Sequence, residues 1–361
     1  MYLHELELHN FRCFEQKKLI FSKPITFVTG VNGIGKTSLL EAIHYLCYFK
    51  SFRSHLISDV IHAGSDSFFV KGVFDRTYNF EQENHTIQVG YSGHKKSIKL
   101  DQKAVTSYKQ IMSFFQVITL TEDDIDLIKG YPAQRRAFID QAVLLSNHAA
   151  FDTYSSFRKV LAHRNSLLSQ GRNVDNTELE VWTQGLWNAT IEIQTLRIQA
   201  LNQVIISVNK LLDEYFDGIY EVNIVYEDKY VHIGQTYEDF FKKTMYLADQ
   251  EKALKRSMFG AHLDDLIIQI RGKKAKIFAS RGQQKLISLL CKLSLAVLTN
   301  SKDDAPILLI DDFISDFDKI RLKQLVFFFQ KCQNQIIITA PFCDLELRDF
   351  FRNIDLDLVS L

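Results

Sequence analysis

Residues 30–38, Gly30-Val31-Asn32-Gly33-Ile34-Gly35-Lys36-Thr37-Ser38, concentrate three glycines, a lysine and two hydroxyls in one short stretch. Glycine tolerates the backbone angles that a tight cup requires. The backbone N–H groups of such a cup converge on one point, and a helix starting at its end adds a positive end there. Lys36 brings a full charge to the same point, and Thr37 brings a hydroxyl suited to Mg²⁺. The spacing Gly-x4-Gly-Lys-Thr is that of a phosphate loop. Its surroundings agree. Ile25-Thr26-Phe27-Val28-Thr29 is a β-branched run ending at Gly30, and from Thr37 the apolar positions Leu39, Leu40, Ile43, Leu46 and Cys47 mark one face of a helix.

A phosphate loop needs a second ligand for Mg²⁺ on a neighbouring strand. Ile307-Leu308-Leu309-Ile310-Asp311-Asp312 has the required form, four apolar residues and then two acids. A buried strand would deliver Asp311 to the carboxyl edge of a parallel sheet, where α/β folds bind ligands. Asp311 is then the magnesium acid, and Asp312 stands where it can orient or deprotonate the attacking water. Without the glycine loop the pair would read as a solvated strand end. Lys36 and Asp311 are too far apart for a small GTPase, so a large insertion must separate them.

Ser280-Arg281-Gly282-Gln283-Gln284 opens a helical stretch upstream of that strand. Alone it is a well-capped helix. Placed before the acidic strand, it resembles the signature motif of ABC-type ATPases, which implies that Ser280, Gly282 and Gln283 meet the γ-phosphate held by a second subunit. Asp316-Phe317-Asp318 resembles the D-loop of the same class.

The elements that must carry these residues follow from periodicity. Residues 1–30 read as β, and 68–74, 86–92, 96–100 and 115–120 as further short strands. From about 122 to 258 the pattern is mainly helical. Trp182, Leu186, Ala189, Ile193, Leu196, Ala200, Val204, Val208 and Leu211 keep steps of three and four across 177–216, one long amphipathic helix or two in line, with Gly185 as a weak point. Strand 266–270, helix 283–299, strand 307–311, helix 318–331 and strand 335–339 then alternate as in βαβ units. The expected fold is α/β: an ABC-type ATPase head, with a mixed sheet and an antiparallel part, formed by 1–121 plus 259–361. A mainly helical lobe, 122–258, is inserted in it.

Composition narrows the function. The 361 residues carry 43 Lys+Arg and 43 Asp+Glu, so bulk charge cannot drive nucleic-acid binding. Cys13, Cys47, Cys291, Cys332 and Cys343 contain no Cys-x-x-Cys pair, and the histidines have no metal-ligand spacing. No apolar run reaches the ~18–20 residues of a membrane span. The N-terminus has no signal-peptide pattern. A cytoplasmic protein with no membrane partner is expected.

Within the ABC class the chain resembles the RecF family over nearly its whole length. Leu6-Glu7-Leu8-His9-Asn10-Phe11-Arg12 is similar to the family's opening, and Asn32 to Ile43 to its phosphate loop and helix. Lys50-Ser51-Phe52-Arg53, Glu122-Asp123-Asp124, Arg135-Arg136-Ala137-Phe138-Ile139-Asp140 and Asp311-Asp312-Phe313 resemble further family segments. Two places depart. Gly260-Ala261-His262-Leu263-Asp264-Asp265 has Leu263 where the family shows Arg, and Thr339 stands where transporters carry a switch histidine. The resemblance implies ATP and Mg²⁺ as cofactors and an ATP-dependent homodimer that binds DNA at single-strand/double-strand junctions. Slow ATP hydrolysis would time its release, RecR and RecO would be partners, and RecA would be loaded indirectly. It also implies that Arg12 contacts the nucleotide. Arg135, Arg136, Lys242, Lys243, Lys273, Lys274 and Lys276 are the basic residues that could touch DNA. The alternatives are the cytosolic ATPase subunit of an ABC transporter and an SMC-like ATPase of a defence system.

Overall fold

The computed structural model describes residues 1–78, 81–105, 107–170, 175–218, 220–298, 305–312, 317–341 and 355–361. Its first strands follow from alternation. β1 (Tyr2–Phe11) buries Leu3, Leu6, Leu8 and Phe11, and pairs antiparallel with β2 (Phe14–Ile20). β3 (Ile25–Gly30) is buried at every position and runs into the glycine loop. After the loop, α1 (Lys36–Tyr48) buries residues around most of its circumference, which a helix does when it is covered on two sides.

One cover is an antiparallel sheet. β4 (Phe68–Tyr78), β5 (Glu81–Ser92), β6 (Lys95–Leu100) and β7 (Lys103–Ala104) extend β1 and β2 in the order β2-β1-β4-β5-β6-β7. Gly72 on β4 lets α1 approach, since a Cβ there would stand 2.7 Å from Leu46 Cδ1. The other cover is a parallel sheet. α2 (Tyr108–Phe114) leads into β8 (Val117–Leu120), and the sheet is completed far downstream.

The middle of the chain is mostly helical: α3 (Asp126–Lys129), α4 (Pro132–Ser146), α5 (Ala150–Ser169) and α6 (Asn176–Tyr215). α6 passes Gly185 without a break, and a Cβ there would lie 3.6 Å from Val160 of α5. A Cβ at that distance would make ordinary van der Waals contact, so this packing does not require glycine at 185. β9 (Val222–Glu227), α7 (Tyr237–Thr244), α8 (Leu247–Leu254), β10 (Asp265–Ile270), β11 (Lys273–Lys274) and α9 (Ala275–Phe278) follow. α10 (Arg281–Val297), β12 (Ile307–Asp311), α11 (Lys319–Lys331), β13 (Ile336–Pro341) and β14 (Leu356–Ser360) then close the parallel sheet as β14-β3-β13-β12-β8.

The chain divides into two compact units. Met1–Asp124, Leu211–Gly218 and Lys292–Leu361 form the first, and Ile125–Lys210 with Ile219–Cys291 the second. This differs from the expected division at 211–218 and at 259–291. The second difference has a plain cause. The expected parallel strand 266–270 is β10, which pairs antiparallel with β9 and β11 in a separate three-stranded sheet. β9 lies in the stretch expected to be helical.

The second unit is organised around buried charge. Arg164 donates to both Glu251 carboxylate oxygens (2.6 and 2.9 Å), to Ser257 and to Thr183, with its guanidinium 4.6 Å from the Phe259 ring centre. Both ionic side chains are at most 5% exposed. Removing one partner of such a pair costs about 3–5 kcal/mol because the other charge stays buried. Glu251→Ala should lower the urea stability of this unit by that amount, and the pairwise apolar replacement Arg164→Met/Glu251→Leu should recover most of it. Equal stability of the native chain and Glu251→Ala in urea titrations would show the pair to be inert.

Candidate nucleotide site

The loop is built by its glycines. Gly33 and Gly35 have φ of +85° and +113°. A Cβ on Gly35 would also fall 2.4 Å from Cys13 Sγ and 2.8 Å from Phe14 Cζ, so the β1–β2 turn forms a wall of the loop. Val31, Asn32, Gly33 and Ile34 face solvent, whereas Lys36 and Ser38 are buried. Lys36 folds back over the loop: Nζ donates to the Gly30 carbonyl at 2.9 Å and to Val31 O at 3.4 Å, and lies 3.5 Å from Asn32 Oδ1. Its charge is thus held among loop oxygens at the point where phosphates would sit.

Beneath the loop, two strands and the start of α1 bring one carboxylate to two hydroxyls. β3, β13 and β12 run parallel, and their register sets Asp311 opposite Thr339. Thr37 Oγ1 donates to Asp311 Oδ1 at 3.0 Å, and Thr339 Oγ1 donates to the same oxygen at 2.8 Å. Thr339 Oγ1 also accepts from the N–H of Asp312, at 3.0 Å. Asp312 has φ +51°, a left-handed turn for a non-glycine residue. Thr339 therefore holds both acids of the pair. Its sequence signal was its place at the end of a strand, where transporters carry a switch histidine, and no spacing rule ties it to Asp311.

Burial pushes the Asp311 carboxyl above the usual carboxylate range; the Thr339 and Thr37 hydrogen bonds pull it back, and Asp312 adds repulsion. The donor set fits Mg²⁺. A carboxylate and a hydroxyl, both oxygen ligands, meet at the foot of the loop, which suits a hard cation with few protein ligands.

Arg12 lies on the turn behind the loop. Nε and Nη2 form a bidentate pair with Glu41 at 2.8 and 2.6 Å, and Nη1 donates to the Asp59 carbonyl. Glu41 is fully buried on α1 and also accepts from Ser51 (2.5 Å), with Arg53 Nη1 at 3.7 Å. This acid reads in the sequence as one more helical polar residue, yet it gathers Arg12, Ser51 and Arg53 behind the loop.

In the second unit, Ser280 caps α10. Gln283 N–H donates to Ser280 Oγ (3.3 Å) and Ser280 N–H to Gln283 Oε1 (2.9 Å), a reciprocal capping box. Ser280, Arg281 and Gly282 are exposed. Asp316 and Phe313 lie outside the described residues.

The segment 260–265 is a structural knot. Asp264 is 1% exposed and accepts from Tyr226 (2.7 Å), Gln194 (3.0 Å) and the Lys229 N–H (3.0 Å), and burial pushes its carboxyl up. Arg135 pairs bidentately with Asp265 at 2.7 and 2.9 Å, and Arg136 donates to the Asp264 carbonyl. Arg135, named above among the basic residues that could touch DNA, is committed inside the unit, whereas Arg136 stays half-buried.

The raised Asp311 carboxyl sets a pH dependence. A carboxyl protonated more readily in the folded than in the unfolded chain costs stability once it ionises. That part of the stability is present at low pH and falls as the pH climbs from the unfolded value, about 3.9, through the raised folded one. Asp311→Asn keeps an acceptor for both threonines and removes the charge. Without nucleotide it should melt a few degrees above the native chain at pH 7, the gap closing in acid, while Mg²⁺-dependent ATP binding is lost. Calorimetry across pH decides; a lower melting point for the variant at pH 7 contradicts the assignment.

The comparisons with known proteins agree with this architecture. The family described as RecF/RecN/SMC N terminal domain matches residues 2–342. The DNA replication and repair protein RecF of Carboxydothermus hydrogenoformans is 32% identical over 347 residues, covering 94% of each chain. That of Acholeplasma laidlawii is 32% identical over 343 residues, covering 93% of this chain and 92% of its own. A solved structure of the recombination mediator RecF with ATP, from the RecFOR pathway, superposes with a TM-score of 0.83 at 26% identity, covering 94% of this chain and 92% of that one. An Smc head bound to the C-terminal winged-helix domain of ScpA shares the fold at a TM-score of 0.55 and 16% identity, over 94% and 90% of the chains. The chain belongs to the RecF family of DNA replication and repair proteins, ATPases of the ABC/SMC type.

Proposed function

We propose that this chain is an ATP-dependent DNA-binding protein of recombinational repair and replication. ATP binding closes a homodimer on DNA at single-strand gaps and single-strand/double-strand junctions. Slow, DNA-stimulated hydrolysis to ADP and phosphate reopens it. It works in the cytoplasm with RecO and RecR and promotes the loading of RecA. The observation that carries this reading is the joining of Thr37, Asp311 and Thr339 beneath a phosphate loop whose lysine is already turned onto it.

The residues divide the work. The N–H groups of 30–38 and the Lys36 ammonium receive the phosphates. Thr37 and Asp311 hold Mg²⁺, which supplies positive charge to the phosphate oxygens. Asp312 takes the proton of the attacking water, its position fixed by the hydrogen bond from its N–H to Thr339. Arg12 keeps two guanidinium N–H groups beyond those given to Glu41 and Asp59, and they serve the nucleotide. Ser280, Gly282 and Gln283 complete the site of the other subunit, which the exposure of Ser280 and Gly282 supports.

That trans role is directly testable. Ser280→Arg puts a long side chain where the partner's γ-phosphate belongs. The variant should still bind ATP through its own loop, yet fail to dimerise with it, and its hydrolysis should fall about a hundredfold or more. Lys36→Ala should lose ATP binding. Mixed together, the two dead chains form heterodimers with one fully native site, and phosphate release should partly return. A Ser280→Arg chain that hydrolyses ATP at the native rate refutes the composite site.

A further inference from the structure

From Arg271 to Arg281 the chain reads Arg-Gly-Lys-Lys-Ala-Lys-Ile-Phe-Ala-Ser-Arg, five basic side chains and no acid. The local structure presents them on a rigid support. Arg271 and Gly272, with φ of +50° and +72°, form the two-residue left-handed turn that suits a tight hairpin, and it joins β10 to β11. Behind the hairpin, Gln284 Nε2 lies 3.2, 3.3 and 3.0 Å from the carbonyls of Ala275, Lys276 and Ala279, clamping this backbone to α10. Ala275 and Ala279 face inward.

What faces outward is unbalanced. Lys273, Lys274, Lys276 and Arg281 are all exposed, and among the described residues none has a carboxylate within ion-pair distance. The neighbouring α3 contributes one acid, Asp126, and one base, Lys129. Lys242 and Lys243, by contrast, share α7 with Glu238 and Asp239. Ile277 and Phe278 stand among the lysines at 71% and 59% exposure, and Lys273 Nζ lies 5.0 Å from the Phe278 ring centre. A surface of uncompensated lysines is made for a polyanion. An exposed aromatic ring among them is made for a flat partner.

We propose that Lys273, Lys274, Lys276 and Phe278 form a contact for single-stranded nucleic acid, the lysines along the phosphates and the ring under a base. The inference rests on the DNA-binding reading above and adds where the strand runs. A duplex hides its base faces in the stack, so only an unpaired strand can use Phe278. Because Gln284 belongs to the signature segment, the strip and the signature are anchored to one helix.

The test uses the full chain with Mg²⁺ and ATP, a labelled oligothymidylate and a duplex of equal length, titrated across salt. Lys273→Gln/Lys274→Gln/Lys276→Gln should bind oligothymidylate more weakly, with the slope of log affinity against log salt shallower by about 2, from ~0.7 per single-strand phosphate. Phe278→Ala should weaken oligothymidylate binding about tenfold, with the salt slope and the duplex affinity unchanged. Both variants should still dimerise with ATP in the absence of DNA, which checks their folding. A triple variant with native affinity and slope overturns the strip while leaving the repair reading intact. A native chain that binds neither oligonucleotide overturns both readings. A triple variant that no longer self-associates with ATP assigns the strip to the subunit interface and overturns the nucleic-acid contact. Equal weakening of single strand and duplex by Phe278→Ala overturns the stacking role.

Discussion

One oxygen of Asp311 receives two threonine hydroxyls, and the first unit is arranged so that it can. An ionised carboxylate at a buried sheet edge must be hydrogen-bonded, or it takes up a proton. The two hydroxyls come from different elements, Thr37 from the start of α1 and Thr339 from β13. Both reach Asp311 only if β3, β13 and β12 keep their parallel register. A slip of one residue would turn Thr339 to the opposite face. β3, β12 and β13 are buried along nearly their whole described length, threonines included, and burial on both faces holds that register. Stability and nucleotide chemistry pull against each other here, since the charge that would bind Mg²⁺ is the one that burial disfavours.

The second unit uses charge in the opposite way. Arg135, Arg164 and Arg197 are each paired with an acid inside it, and Arg197 spans Asp140 (2.8 Å) and the Ala261 carbonyl (2.7 Å). These guanidiniums fix the fold. Lys273, Lys274, Lys276 and Arg281 are left exposed in this unit, their long stems keeping the charge in water.

The site was largely legible in the sequence because its chemistry is local. The glycine loop, the strand-borne Asp311 and the Ser280 cap each sit within a few neighbouring residues, and the loop is bounded by a change of period from strand to helix. What escaped was non-local. β9 was concealed in a helical stretch, and its pairing drew β10 out of the parallel sheet. β14 pairs with β3 across most of the chain, a contact no window contains. Glu41 and Thr339 matter through partners brought to them by the fold, so their residue types alone said little. Arg135 was misleading for the same reason: a charge in the sequence carries no mark of the acid, here Asp265, that will bury it.

The central claim is that nucleotide binding joins two copies of this chain. Light scattering on the native protein, with and without Mg²⁺ and ATP, tests it most directly. The account predicts the 41.9 kDa mass of one chain without nucleotide and twice that mass with it, returning to one chain as ATP is consumed. A mass that stays the same in both conditions, whether of one chain or of two, would contradict it.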